Sequence, residues 1–381
     1  MRIGLIYEKF VQGGGLENYL FELATRLRAR GHALEVVTSA ISPETSGLDA
    51  RFHLLARPRW SATARLWRFA AETEGVRRQL AVDVTVGFGR TFAHDIHRAG
   101  GGCHRVYSAL LPWHKRWGLK NQLELHLERE LYQGNRTRWF VVNSHQVATQ
   151  LATHYRVPQQ RVRVIHTAVD TRRYRPLNTR ERQQAWRDLK EEAGPDREIG
   201  RRPVFVFVSL SHGRKGLKAL LQAWSGVDAE LWIAGAPLGR WRRQVRRLGL
   251  QDRVIDWGRR SDLERLFGVA DWFVHPTLYD ACANAVLQSM ACGLPGLIST
   301  CDGAIDHLEH GRNGLLITDP RDPGSVRAAI NEALAMPKAV RDAMGKDARQ
   351  TMQPLTWDKH VDEWDALLAH AAAEKQSAPP G

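Results

Sequence analysis

The feature that most constrains this chain is a strand–helix alternation that starts at its first residues. A short apolar segment, Arg2–Tyr7, is followed by three glycines at 13–15, by leucines at helical spacing, and by a second apolar segment, Leu34–Thr38. Strand, glycine-rich loop, helix and strand in this order predict a β-α-β unit. Because parallel strands are joined by such crossover helices, we predict an α/β fold with parallel sheets.

The alternation stops at a charged segment and then restarts. Residues 170–202 contain no apolar strand, whereas new strand patterns follow from Pro203–Ser209 to Gly296–Ser299. At 381 residues the chain also exceeds the usual size of a single core. Residues 99–129 read as irregular, aromatic and basic. The predicted order is an N-terminal domain (1–169), a junction (170–202), a C-terminal domain (203–355), an amphipathic helix (356–372) and a disordered tail (373–381).

The charge balance is strongly basic, at +14 with a pI near 10. Nucleic acid, an anionic membrane and anionic small molecules are the partners that such a charge favours, and an ordinary solvated basic surface is the alternative. The four cysteines form no C-x-x-C pair, and no D-x-D triplet occurs, so no metal site is predicted. No apolar run approaches the ~18 residues of a membrane span, and no export signal is recognisable, so the expected compartment is the cytoplasm.

Two loops carry residues suited to a phosphate. Gly14 and Gly15 open a predicted helix, where backbone N–H groups can approach phosphate oxygens; a flexible connection is the alternative. Arg214 and Lys215 lie between a predicted strand and a helix that begins near Gly216. Arginine binds a diphosphate bidentately and lysine binds it as a point charge, and a solvated basic loop is the alternative.

A third loop surrounds one acid and one amide with small side chains. It reads "HPTLYDACANAVLQSMACGLPGL" and carries Asp280 and, within a predicted helix over 281–292, Gln288. Small residues permit close approach of a ligand to the backbone. The alternative for Asp280 is that it caps this helix, which is a common role of aspartate.

In combination, these segments resemble the family 4 glycosyltransferases of the GT-B fold. The resemblance is carried by the glycine loop, "HGRKG", "GRRSDLERLFGVADWFVHPT", the acid-x7-amide spacing, "ACGLPGLIS" and "GRNGLL". Within the family the chain is most similar to the lipopolysaccharide core glucosyltransferase I group, through "FGRTFAHDIHRAGGGCHR". The resemblance implies two Rossmann-like β/α/β domains facing each other across a cleft, with the acceptor on the N-terminal side and the C-terminal helix crossing back onto it.

The resemblance also implies a donor site. Gly14 and Gly15 would face the donor diphosphate, which Arg214 and Lys215 would bind as cations. Asp280 would lie near the donor sugar, and Gln288 would hold the ribose hydroxyls. The remaining donor-site residues would be Arg259 in the nucleobase loop and Asn284, Ala285 and Val286 at the start of the helix below the diphosphate. The family usually has glutamate at both positions of the motif, so Asp280 and Gln288 are departures from it.

The implied reaction is a metal-independent transfer of a hexose with retention, from UDP-glucose or a related UDP-hexose. No cofactor is expected beyond this nucleotide-sugar co-substrate. Arg214, Lys215 and Asp280 are the predicted catalytic residues. Asp95 and His104 are candidates for positioning or activating the acceptor, with plain loop residues as the alternative. The expected acceptor is a lipid-anchored saccharide, the heptose of a lipopolysaccharide core; another lipid-linked or surface polysaccharide and, from a different class, a basic nucleic-acid-binding protein are the alternatives.

Such an acceptor implies a peripheral position on the cytoplasmic face of the inner membrane of a bacterial cell envelope. The segment "PWHKRWGLK" combines tryptophans with cations, a composition suited to an anionic membrane surface. The predicted membrane contacts are Trp113, Lys115, Arg116, Trp117 and Lys120. The alternative is that both tryptophans pack inside the first domain.

Overall fold

The structure, a computed structural model, describes residues 1–11, 13–58, 61–195 and 197–377. The chain divides into two compact units. The first contains residues 1–166 and the described residues from Asp358 onward, and the second contains Thr167–Trp357.

Seven parallel strands form the sheet of the first unit. The strands are β1 (Arg2–Ile6), β2 (Ala33–Thr38), β3 (Arg51–Leu54), β4 (Val84–Gly87), β5 (Ile96–Arg98), β6 (Trp139–Val142) and β7 (Val162–Val164). The helices are α1 (Gly15–Ala29), α2 (Pro43–Ser46), α3 (Ala62–Gln79), α4 (His104–Ser108), α5 (Trp113–Arg116), α6 (Leu119–Gln133) and α7 (His145–Tyr155). The strand order is β3-β2-β1-β4-β5-β6-β7, so successive strands are added on one side of β1 up to β3 and on its other side from β4 onward.

One expectation for this unit is wrong. Residues 99–129, predicted to be irregular, contain α4, α5 and most of α6. The helix α6 buries Leu127 and Leu131 at helical spacing, and this periodicity lies between many charged residues. Tertiary packing of one narrow apolar face therefore stabilises a segment whose composition suggested a loop.

The second unit has a sheet of six parallel strands. Its strands are β8 (Val204–Ser209), β9 (Glu230–Gly235), β10 (Val254–Gly258), β11 (Trp272–His275), β12 (Gly296–Ser299) and β13 (Gly314–Ile317). Its helices are α8 (Thr179–Ala193), α9 (Leu217–Ala223), α10 (Trp241–Arg247), α11 (Leu263–Val269), α12 (Asn284–Ala291), α13 (Pro323–Ala335) and α14 (Lys338–Met352). The strand order β10-β9-β8-β11-β12-β13 reverses between β8 and β11.

The segment 170–202, expected as a junction between domains, is part of the second unit. Its helix α8 buries Ala185 and Leu189 in the same apolar cluster as Val204 and Trp232. A helix that contributes to a core in this way is a structural part of that unit, although its outer face is highly charged.

The chain returns to the first unit through α15, which spans Trp357–Ser377. Val361 and Trp364 are buried, and His360 Nε2 lies 2.7 Å from the hydroxyl of Tyr19 in α1. The disordered tail predicted from residue 373 is therefore wrong as far as Ser377, because Ala371 and Ala372 are buried and the helix continues beyond them. Residues 378–381 of that prediction lie outside the described residues.

Candidate active site

The candidate site lies where the strand order of the second sheet reverses. Parallel α/β sheets bind ligands at the carboxyl ends of the strands beside such a switch point. Arg214 and Lys215 follow β8, and Asp280 follows β11, its neighbour in the sheet. The two loops are joined directly, since the backbone N–H of Leu278 donates to the carbonyl of Arg214 at 2.9 Å.

Both cations contact the same carboxylate oxygen. Lys215 Nζ binds Asp280 Oδ2, and Arg214 donates to that oxygen at 2.9 Å and to the carbonyl of Tyr279 at 2.8 Å. Burial by itself raises the pKa of Asp280, but the charges of Lys215 and Arg214 outweigh burial and hold the pKa below its ordinary value. Asp280 is therefore an anion throughout the physiological pH range, and it orients both cations.

A buried histidine lies beneath this group. His275, the last residue of β11, is fully buried, and its Nε2 lies 3.1 Å from Lys215 Nζ. Burial and then the charge of Lys215 lower the pKa of His275, so its imidazole is neutral and accepts a hydrogen bond from the ammonium. His275 is not among the site residues predicted from the sequence. Its signal is a histidine that ends an otherwise apolar strand, directly before Pro276.

Glycine is required at the position that follows Lys215. Gly216 precedes α9 with φ of 81°, and a β-carbon there would collide with the carbonyl oxygen of Pro276. L-amino acids disfavour this left-handed conformation, and the collision is with backbone. The close approach of the two loops therefore depends on Gly216 and keeps Lys215 next to the Asp280 loop.

Asp280 does not cap the following helix, so the alternative role considered for it is excluded. The helix α12 begins at Asn284 rather than at residue 281. The carboxylate of Asp302 instead accepts from the backbone N–H groups of Ala283, at 3.1 Å, and Ala304, at 2.9 Å. Asp302 thus organises the loop before α12 and leaves Asp280 to the cations.

The start of α12 presents a partly open face. Asn284, Ala285 and Gln288 are half-buried, whereas Val286 is buried. Asn284 and Gln288 are four positions apart, which places them on the same side of a helix. Val286 is part of the core of this unit, so it can reach a ligand only through its backbone.

Arg259 follows β10 and is exposed. The adjacent Arg260, in contrast, donates to the carboxylates of Glu192 and Asp262. Of these two neighbouring arginines, Arg259 has the side chain that is accessible to a ligand.

The glycine loop of the first unit opens α1. Gly14 is the N-cap residue, and Gly15 is the first residue of the helix. The carboxylate of Glu17 lies against Gly14 and accepts a hydrogen bond from the hydroxyl of Tyr7 at 3.3 Å. An oxyanion thus already lies beside this glycine at the helix N-terminus, where negative charge is favoured.

Asp95 does not have the accessible position expected of a residue that activates an acceptor. It precedes β5, at the amino edge of the sheet, and its Oδ2 accepts from Thr85 N and Oγ1, both at 2.8 Å, and from Lys375 Nζ at 3.1 Å. These contacts join β4, the loop before β5 and α15. Asp95 is accordingly a structural residue here, and we remove it from the candidate site.

His104 is likewise engaged in packing. It is buried at the start of α4, and its Nε2 lies 2.8 Å from Asn121 Oδ1 and 3.1 Å from Glu124 Oε2. Burial and then the charge of Arg90 lower the pKa of His104 to about 4. The imidazole is neutral and holds α4 against α6, so we remove His104 from the candidate site as well.

The aromatic and basic residues around α5 point outwards. Trp113 and Trp117 are 78% and 73% exposed, which excludes the alternative that they pack inside the unit. Lys115, Arg116 and Lys120 are exposed beside them. None of the helices in the described part of the chain has the length and apolar character needed to cross a membrane.

Comparison with known proteins agrees with this architecture of two Rossmann-like units. A family described as Glycosyltransferase Family 4 matches residues 13–173, and one described as Glycosyl transferases group 1 matches residues 202–336. The two matches fall on the two units and together span more than half of the chain. The fold and site thus define a glycosyltransferase, and the chain belongs to family 4 of these enzymes.

Three relatives illustrate the similarity. A probable transglycosylase of Burkholderia thailandensis is 26% identical, covering 99% of both chains. The lipopolysaccharide glucosyltransferase WaaG of Escherichia coli is 22% identical, covering 92% of this chain and 93% of WaaG. The crystal structure of WaaG gives a TM-score of 0.80 at 19% identity, over 95% of this chain and 99% of that one. The structure of Anabaena HepE in complex with UDP-glucose gives a TM-score of 0.74 at 16% identity, over 97% of this chain and 100% of that one. The likeness to these structures establishes the GT-B fold.

Proposed function

We propose that this glycosyltransferase moves a hexose, glucose in the first instance, from a UDP-sugar to a hydroxyl of a lipid-anchored saccharide, with retention and without a metal ion. The acceptor proposed is a heptose of a lipopolysaccharide core. Two likenesses support the pairing: WaaG is named as a lipopolysaccharide glucosyltransferase, and HepE is described in complex with UDP-glucose.

One observation carries the proposal: two cations converge beside the N-terminal end of α12 at the sheet's switch point. Arg214 and Lys215 share the carboxylate of Asp280, and α12 begins four residues after it. Fixed cations and backbone N–H groups suit a diphosphate, whose oxygens accept both kinds of hydrogen bond. A site of this kind can neutralise a leaving diphosphate with protein charges, which is the basis for proposing metal independence.

We infer the following reaction at this site. The bond between the anomeric carbon and the diphosphate oxygen breaks, and Arg214 and Lys215 stabilise the negative charge that develops on the diphosphate. The acceptor hydroxyl attacks the anomeric carbon from the same face, and its proton passes to the departing phosphate. Atoms and charge then balance as a glycoside and UDP, and the anomeric configuration is retained.

Asp280 would position the side chains of Arg214 and Lys215 and lie near the donor sugar. Gln288 would bind the ribose. An amide can accept from one ribose hydroxyl and donate to the other. It lacks the charge of the glutamate usual in the family, and charge-assisted hydrogen bonds are about twice as strong as neutral ones. We therefore infer a weaker hold on the nucleoside than a glutamate would provide.

A lipid-anchored acceptor explains the exposed tryptophans. Trp113 and Trp117 lie beside Lys115, Arg116 and Lys120 on one short stretch of surface. Tryptophan favours the membrane interface, and each Lys or Arg near an anionic surface contributes ~1 kcal/mol. We infer peripheral binding to the cytoplasmic face of the inner membrane through this stretch.

A screen of nucleotide sugars tests the donor. A ligand present at about 100 times its dissociation constant should stabilise the folded protein by ~2.7 kcal/mol, which thermal unfolding resolves. UDP-glucose and UDP should raise the melting temperature in buffer containing EDTA, while GDP-sugars and CMP-sugars should not. Stabilisation by another nucleotide alone, or only with a divalent cation, would contradict the proposed donor.

A further inference from the structure

A separate cavity of about 260 Å³ lies in the first unit. Its lining includes the residues that directly follow β1, β4 and β5, which are Tyr7, Phe88 and Ala99. The strand order of this sheet reverses between β1 and β4, so the cavity lies at the position where α/β sheets bind ligands. None of the Arg214, Lys215 and Asp280 group belongs to it.

The feature of this cavity that needs an explanation is a buried arginine. Arg98, the last residue of β5, lines the cavity, is 3% exposed, and forms no ion pair with a carboxylate among the described residues. Its guanidinium lies over the ring of Tyr19 at 3.7 Å, and its Nε lacks a hydrogen-bond partner in the described part of the chain. Burial raises the pKa of Tyr19, so this phenol is neutral and supplies no counter-charge.

Three carboxylates line the cavity, and two of them, Glu124 and Glu128, are already paired, whereas the third, Glu8, is half-buried and forms no ion pair with a described cation. Glu124 faces His104 at 3.1 Å, Arg90 at 3.6 Å and Lys120 at 3.8 Å. Glu128 accepts from the hydroxyl of Tyr155 and from the backbone N–H of His104 at 2.6 Å. Neither carboxylate is left to neutralise Arg98.

Two further cations add to the imbalance. Lys9 and Arg65 line the cavity, are half-buried, and, like Arg98, form no ion pair with any described carboxylate. A buried charge without a partner costs several kcal/mol, so a fold retains one where a ligand supplies the opposite charge. Three cations without an ion-pair partner face one free carboxylate, Glu8, so the cavity keeps an excess of positive charge that indicates an anionic ligand.

From this geometry we propose that the cavity is an acceptor subsite for a saccharide bearing an oxyanion, a phosphate ester or a carboxylate, with Arg98 as its anchor. The planar guanidinium can bind either group bidentately, and Lys9 and Arg65 add charge. Tyr7 and Phe88 offer aromatic surface to the sugar ring. The inference rests on the proposed function, in which the first unit takes the acceptor.

Calorimetric titration with three sugars tests it. Glucose 6-phosphate, glucuronate and glucose differ in the anion, and saturating UDP keeps them out of the donor site. At least one anionic sugar should bind the wild type about 10-fold or more tightly than glucose, the gain expected from a charge-assisted hydrogen bond. The preferred sugar distinguishes phosphate from carboxylate. Equal affinity for all three would overturn the proposal.

Single substitutions identify the residue on which the preference for an anionic sugar depends. Arg98→Met should abolish the preference while leaving UDP affinity unchanged, and Lys215→Met should weaken UDP binding while leaving the preference, measured at low ionic strength, in place. Arg243→Gln, an exposed arginine of the second unit, controls for net charge. A preference that persists in Arg98→Met, or disappears equally in Arg243→Gln, would contradict a site at Arg98. If UDP bound none of these proteins, the proposed donor would fail, whereas the anion preference would still report on the cavity.

The unfolding temperature of Arg98→Met distinguishes a ligand-binding role of Arg98 from a structural one. Without ligand, Arg98→Met should unfold at the same temperature as the wild type or a higher one, because it removes an unpaired buried charge. Should Arg98→Met not fold, Arg65→Gln provides the second test, since this half-buried residue can lower the preference without changing the core. Marked destabilisation of Arg98→Met together with an unchanged preference in Arg65→Gln would make Arg98 a packing residue and overturn the proposal.

Discussion

Lys215 and Asp280 form a partly buried ion pair although 65 positions separate them in the chain. Each follows one of two adjacent parallel strands, β8 and β11, which meet where the strand order reverses. The neutral imidazole of His275 contacts the ammonium of Lys215, and Gly216 permits the close approach of the two loops that carry the pair. The candidate site is thus a product of the sheet topology.

Gly216→Ala should be strongly destabilising. A β-carbon at this left-handed residue costs ~1–2 kcal/mol for conformation, and the clash with the carbonyl of Pro276 adds to it. Gly249→Ala is the matched control, because Gly249 has φ of 63° and nothing within 4 Å of the added carbon. Urea unfolding should show a larger loss for Gly216→Ala; equal losses would mean that the approach of the two loops is not tight.

Gln288→Glu should strengthen UDP binding by about 10-fold, because a carboxylate accepts ribose hydroxyls through charge-assisted bonds. The measurement is calorimetric titration with UDP. Gln222→Glu, on the exposed face of α9, makes the same chemical change away from the site. An unchanged dissociation constant in Gln288→Glu would remove this residue from the nucleoside site.

His360 should make folding sensitive to acid. Burial and then the charge of Arg98 lower its pKa to about 3, against an ordinary 6.5. Between about pH 3 and pH 6.5, the imidazole of His360 is therefore protonated in the unfolded chain but neutral in the folded chain. Stability present above pH 6.5 is lost as pH falls towards 3, by about 1.4 kcal/mol per pH unit.

The test is the pH dependence of urea unfolding between pH 7 and pH 4. His360→Gln should reduce the slope by about one proton. If His360→Gln kept the slope of the wild type, His360 would not be the group that titrates.

Membrane binding should depend on the cations around α5. Changing Lys115, Arg116 and Lys120 to Gln removes about 3 kcal/mol of attraction to an anionic surface at low salt. Cosedimentation with anionic vesicles should fall accordingly, and wild-type binding should weaken with salt. The same change at Arg243, Arg246 and Arg247, exposed in α10, is the control for net charge. Equal pelleting with neutral vesicles, or equal loss in both triple variants, would contradict the proposed surface.

The strands that could be predicted are those buried on both faces. The strand Gly296–Ser299 has the bounds read from the sequence, because a continuous apolar run between turn residues has few alternatives. The three-residue β5 lies in a polar stretch and was missed, since only its neighbours in the sheet make it a strand.

The contacts within the candidate site likewise depend on the three-dimensional neighbours of each residue. Family motifs predicted Arg214, Lys215 and Asp280, but their shared contact depends on which strands are neighbours, and spacing does not contain that information. Asp95 and His104 were mistaken for acceptor residues because a polar side chain in a loop motif looks the same whether it faces a ligand or bonds to Thr85 or Asn121. Arg98, in the same motif, became informative only when its burial was known.

Transfer of labelled glucose from UDP-glucose to lipopolysaccharide that ends at the core heptose, measured in EDTA, tests whether this site carries out the proposed reaction. Wild-type protein should incorporate label with the anomeric configuration retained. Lys215→Ala should reduce the rate by on the order of 10²-fold or more, as expected when a group that stabilises the transition state is removed. Lys218→Ala, exposed three residues further along, should be unaffected. Turnover of folded Lys215→Ala within about threefold of the wild type would mean that Lys215 does not stabilise the departing diphosphate.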